Sequence, residues 1–173
     1  MNSVVSYCHL SIFTDYLSQL SHLLDKIECN QRDDTNILEA RLVADMLPLG
    51  AQVEIAASFA LRASCPIAQV EMLSFAKSER SFASLQSQLQ QTIGFLKELM
   101  GKNTVQFVGE ISDMAGPVKV TMPADEFLQR FALPNFFFHI SMVYAIARMR
   151  GIPVSKGDFD GIHQYAMGFS FEK

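Results

Sequence analysis

LPNFFFHISMVYAIARMRG, residues 133–151, is the stretch on which the fold turns. It reads as a buried helix, yet it carries two polar side chains, Asn135 and His139, one turn apart. Asn135, His139, Met142, Ile146 and Met149 fall at i, i+4, i+7, i+11 and i+14, which predicts one shared face. A buried polar group without a partner costs about 1–3 kcal/mol, so Asn135 and His139 are expected to be mutually bonded, hydrated or liganded. Upstream, the helix is predicted to open with Thr121 as its cap, Pro123 in the first turn, and Asp125 and Glu126 near its positive end. Pro134 disturbs it and Gly151 ends it.

Further segments supply the other walls. Cys8, Ile12, Tyr16, Leu20, Leu23 and Ile27 recur at spacings of three and four, one stripe of a helix from about Val5 to Ile27. After the polar run NQRDDTN, residues 37–43 read as a short lead-in. A second helix is predicted to start at Asp45 as N-cap, with Pro48 in its first turn and Pro66 closing it. On it Asp45, Leu49, Gln52 and Ala56 share a face, so Gln52 points inward if Leu49 does. The third helix runs from about Ser81 to Met100 on the stripe Leu85, Leu89, Thr92, Leu96 and Leu99, with Gly101 as its stop. Two β-type runs, Val105–Ile111 and Val118–Met122, separated by SDMAG, predict a hairpin capping one end before the last helix. The tail from Ile152 is expected to be irregular. Four long amphipathic segments make an all-α four-helix bundle with a small hairpin, in one domain over residues 1–173.

Composition narrows the function classes. The chain is 49% hydrophobic and 18% charged, which excludes a disordered protein. The net charge of -4 comes without a Lys/Arg cluster, so nucleic acid is not an expected partner. No apolar run reaches transmembrane length uninterrupted, and the N-terminus reads as a helix and not as a signal peptide. Cys8, Cys29 and Cys65 show no CxxC spacing and cannot all pair, which fits a reducing cytoplasmic setting. GxSxG, Walker, GxGxxG and HExxH signatures are absent from the sequence.

The chemistry that remains is the set Gln52, Asn135 and His139, converging inside the bundle. Spacing leaves two readings open: a closed hydrogen-bond network, or a polar floor for a small ligand. Carboxamides are poor zinc ligands, so a metal is not expected from composition. His9, His22 and His163 read as surface or helix-end residues. Phe136, Phe137 and Phe138 step around the helix and read as core plus a subunit contact, and the 14 Phe suggest a homodimer.

ARLVADMLPLGAQV, FALPNFFFH and YAIARMRGIPVSKGDF together resemble an uncharacterised bacterial and fungal domain family of the DinB/YfiT-like superfamily, in order and over essentially the whole chain. The resemblance implies an up-down-down-up bundle, often dimeric. Metal-binding members of that superfamily use three histidines, one on the second helix and two, four residues apart, on the last. Some are metal-dependent thiol-S-transferases, maleylpyruvate isomerases or hydrolase-like proteins. Aligning on the R-xx-G ending, Arg148 to Gly151, puts Gln52, Asn135 and His139 at those positions, so one of three histidines is retained. The resemblance therefore implies a degenerate metal site. The resulting expectation is a ligand-binding or structural bundle, with a divalent ion (zinc or nickel) on His139 and hydrolase or group-transfer chemistry as the alternative.

Overall fold

The computed structural model describes residues 3–31, 36–102, 107–166, 169–170 and 172, with side chains of the first helix described from His9 onward. The long helices are α1 (Ser3–Asn30), α2 (Leu49–Ile67), α3 (Phe82–Lys102) and α5 (Leu133–Met149). A hairpin of β1 (Glu110–Ala115) and β2 (Val118–Pro123) precedes a short α4 (Ala124–Glu126) and a π-helical stretch, Phe127–Ala132, that runs straight into α5. Among the described residues no helix is long and apolar enough to cross a membrane.

Contacts between named side chains give the helix directions. Ser21 and Asp25 of α1 meet Gln90 and Gln86 of α3 in reverse order, so these helices are antiparallel. Arg80, just ahead of α3, lies against Gly50 in the first turn of α2, and Gln88 of α3 binds the carbonyl of Glu54 one turn further on, so α2 and α3 run parallel. Gln52 meets His139 while Phe59 meets Phe131, so α2 and α5 are antiparallel. The bundle is up-down-down-up. Its core closes around Phe13, Leu17, Leu20 and Leu24 of α1, Val53, Ala57 and Ala60 of α2, Leu89 and Leu96 of α3, and Phe136, Ile140 and Val143 of α5, all fully buried.

The α3 stripe is buried as predicted. On α1 the buried line is Leu10, Phe13, Leu17, Leu20 and Leu24, with Leu23 and Ile27 beside it. Ile12 and Tyr16 are half-buried at its edge, and the Cys8 side chain lies outside the described residues. On α5 the core face is Phe136, Ile140, Val143 and Ala147. Of the predicted face only His139 and Ile146 are buried, and Met149 is exposed.

Two predicted helix starts move, for one reason. The residue before a proline is pushed out of the α region. Pro48 thus disfavours helix at Leu47, and α2 begins at Leu49 with Pro48 in extended geometry as its N-cap. Asp45 sits exposed in the preceding turn and caps nothing. Likewise Met122 stays in β2, Pro123 takes the N-cap position, and Thr121 lies in mid-strand, its hydroxyl 2.7 Å from Ser112. The hairpin turn is also displaced from SDMAG. Ala115 pairs with Val118, which leaves Gly116–Pro117 as a two-residue turn, and Gly116 takes the positive φ (61°) that a tight hairpin demands. Val105 and Gln106 of the predicted first strand lie outside the described residues, and Phe107 to Gly109 are not strand.

Helix ends follow backbone hydrogen bonds more closely than residue identity. Pro66 does not close α2 but sits inside its last turn. The stop is Gln69, with φ 54°, where Gln69 N–H donates to Pro66 O and Val70 N–H to Cys65 O, a Schellman motif without glycine. The same pair of bonds closes α5 at Gly151, as the sequence predicts. α3 continues through Gly101 to Lys102. Its start is a reciprocal cap, with Ser84 N–H donating to Ser81 Oγ and Ser81 N–H to Ser84 Oγ. The tail is less irregular than expected. Ser155 and Asp158 form a capping box that starts α6 (Lys156–Asp160).

Pro134 acts on the turns before it. A proline ring in a helix clashes with the carbonyl four residues back. The chain answers with π register, Leu133 N–H reaching Leu128 O five residues earlier, which widens the helix ahead of the proline.

Candidate functional site

The antiparallel seam of α2 and α5 brings together Gln52, 1% exposed, and His139, 8% exposed. His139 Nδ1 lies 2.6 Å from Gln52 Oε1. Gln52 Nε2 donates to Leu47 O at 3.2 Å, a carbonyl stranded ahead of the helix by Pro48. That second bond fixes the amide orientation, with the oxygen facing the ring. Nδ1 must then carry the proton and donate it, and Nε2 is left as a bare lone pair.

The ring environment keeps the imidazole neutral. Phe59 stacks on it at 5.7 Å between centroids, and Phe138 meets it edge-on at 5.3 Å. Burial pushes the His139 pKa down from 6.5 to about 4, and the nearby Arg62 cation pushes in the same direction. Arg62 itself is tightly held. Its Nε lies 2.6 Å from Asp113 Oδ2, its Nη2 donates to Met114 O at 3.0 Å, and its guanidinium sits 4.1 Å over Phe59. These contacts, with buried Ile111, lay the hairpin along the C-terminal half of α2.

Asn135, one turn earlier on α5, is half-buried and donates its amide to Phe131 O at 2.8 Å. Its bond is to its own helix, a local alternative always open to an Asn side chain. Of the predicted three, the structure joins Gln52 and His139. Phe59 and Arg62, which sequence reasoning missed, complete the surroundings. They stand seven and ten residues after Gln52, the spacing of one helix face, so the stripe was present in the sequence. The other histidines divide: His22 and His163 are exposed, but His9 is 3% exposed, against the expected surface placement, with its ring 5.3 Å from Phe107 and 6.4 Å from Phe13. Apolar neighbours one turn away on α1 carry it into the core.

A family model described as a domain of unknown function (DUF1993) matches residues 7–160. The chain belongs to the DUF1993 family. A crystal structure of a DinB family member protein from Shewanella denitrificans is similar to this DUF1993 chain, with 26% identity, 95% of this chain and 96% of that one covered, and a TM-score of 0.77. No curated protein matches. The DinB-like bundle is thus shared, and the question passes to the site. Among the described residues of this DUF1993 chain, no three His, Cys, Asp or Glu side chains group to hold a metal ion. At the seam one imidazole nitrogen is open, the Gln52 oxygen accepts from His139, and the Asn135 amide is bonded to Phe131. This donor set does not fit a three-histidine metal site.

Proposed function

We propose that this DUF1993 bundle binds a small neutral molecule at the α2–α5 seam, with His139 Nε2 accepting a hydrogen bond from it, and performs no proton-transfer chemistry there. The bond from His139 Nδ1–H to Gln52, with the imidazole held neutral, carries the reading. A general base works best with a pKa near the operating pH, and about 4 is far below it. The Arg62 charge is already matched by Asp113, so the seam offers no net charge to an ion. The Phe59 and Phe138 rings favour a flat, apolar body on the ligand.

Benzamide, an aromatic ring with an N–H donor, is the probe. It is expected to shift the His139 Hε1 resonance at millimolar concentration and to lose its binding in His139→Phe. Binding unaffected by that substitution removes His139 from the reading. Zinc or nickel is expected to leave the melting temperature unchanged, whereas a ligand at one hundred times its dissociation constant adds about 2.7 kcal/mol. His139→Ala is expected to cost about 1–3 kcal/mol, because Gln52 loses a buried partner. Stoichiometric metal in purified protein, lost with His139, would favour instead a metal-dependent hydrolase or group transferase.

The same seam supports a homodimer. Phe138 is 50% exposed and Leu47 45%, on either side of the Gln52–His139 pair. Light scattering is expected to give twice the chain mass, and Phe138→Glu to return the monomer.

A further inference from the structure

A second site lies on the side of α5 turned away from His139. Ser141, Tyr144 and Arg148 fall at i, i+3 and i+7, and Ser141 stands about 200° around the helix from His139. They form one wall of an open cavity of about 1410 Å³, and Pro153, Lys156 and Phe159 form part of the other. The second wall is held in place by its own chemistry. Gly151 turns the chain, Ile152 and Val154 bury themselves, and Ser155 caps α6 with Asp158. Asp158 is anchored to α1 by Lys26 Nζ at 2.9 Å, and Phe159 rests against Tyr16 and Tyr144.

Those contacts account for the Gly, Asp and Phe of RMRGIPVSKGDF, but not for its two cations at the cavity. Arg148, which lines the cavity, commits Nη1 to Val154 O at 3.0 Å. Lys156 Nζ is 3.1 Å from His163 Nε2, and the other nitrogen of that ring faces the Asp160 carboxylate. Lys26 is matched by Asp158, so the lining offers Arg148 and Lys156 against one carboxylate, Glu172. Tyr144 and Phe159 add an aromatic edge, their centroids 6.2 Å apart.

We propose that this cavity binds a small aromatic carboxylate, its carboxylate on Arg148 with Lys156 beside it and its ring against Tyr144 and Phe159. A guanidinium fork matches a planar carboxylate through two parallel hydrogen bonds, and rings of this kind receive a flat body. This site is independent of the His139 reading.

The test is a chemical-shift titration of the full chain with indole-3-acetate and with its neutral isostere indole-3-acetamide. The carboxylate is expected to shift backbone amides between residues 141 and 159 and to bind about tenfold tighter than the amide, the difference a charge-assisted hydrogen bond makes. Arg148→Gln is expected to bring the carboxylate down to the level of the amide. Lys156→Gln, on an exposed side chain, is expected to weaken it severalfold with the melting temperature unchanged, and carries the test if the Arg148 variant fails to fold. Equal affinity for acid and amide, shifts confined to the neighbours of His139, or no shift at millimolar concentration would overturn the proposal.

Discussion

Between pH 6.5 and pH 4 the folded protein is expected to lose about 3 kcal/mol of stability through His139 alone. The folded pKa is about 4 and the ordinary value 6.5, and each unit of difference is worth about 1.4 kcal/mol. The depressed value sets the sign. Above pH 6.5 the imidazole is neutral in both states and the contribution is fully present. Between 6.5 and 4 the unfolded chain takes up the proton and the folded chain does not, so stability falls. Below pH 4 both are protonated and the loss is complete. Asp158 adds a separate loss at lower pH. Burial raises its carboxyl, but the Ser155 N–H, Lys26 and the Ser155 hydroxyl more than offset this and hold it below its ordinary value. The measurement is urea unfolding across this range for the parent and for His139→Gln. The difference between the two curves is expected to change by about 3 kcal/mol. A constant difference would mean that His139 is as solvated in the folded chain as in the unfolded one.

The run Phe136–Phe137–Phe138 is expected to give a steep series on truncation to alanine. Phe136 is fully buried, edge-on to Phe13 at 4.9 Å, where α1 meets α5. Its loss opens a cavity that fixed helices cannot close, and the expected cost is about 3–5 kcal/mol. Phe137 is half-buried against Tyr16 at 4.8 Å, and its truncation should fall between the extremes. Phe138, half-exposed, should change the stability of the monomer by less than about 0.5 kcal/mol. Denaturant midpoints with unchanged slopes measure all three. Equal costs at 136 and 138 would contradict the orientation of α5.

This series also shows what the sequence could tell. Three identical residues in a row announce a helix surrounded by apolar contacts, but not which of them faces the core. The helix orientation depends on the π-helical stretch before Pro134, and that widening is a response to backbone crowding which no side-chain pattern announces. The α3 stripe was legible because every member of it is buried. The start of α2 and that of the helical segment after β2 were misplaced where composition outweighed the backbone rule for the residue before a proline. Gly116–Pro117 was the stronger turn signal and lay inside the chosen boundary.

At the site, periodicity placed Gln52 and His139 on inward faces, and the structure joins them. It could not anticipate that Asn135 would bond its own helix, because a local acceptor and a distant one look the same in a sequence. Nor could it supply the carboxylate partner of Arg62, because Asp113 comes from a strand fifty-one residues away.

The central claim is a neutral imidazole oriented by Gln52 that holds no metal, and its most direct test is nitrogen NMR of the His139 ring. Long-range proton–nitrogen spectra distinguish a protonated from a bare ring nitrogen and follow both with pH. The account predicts a proton on Nδ1, a bare Nε2, no titration until about pH 4, and spectra unchanged by equimolar zinc. A proton on Nε2, a midpoint near 6.5, or a zinc-induced shift of Nε2 at equimolar metal would contradict it.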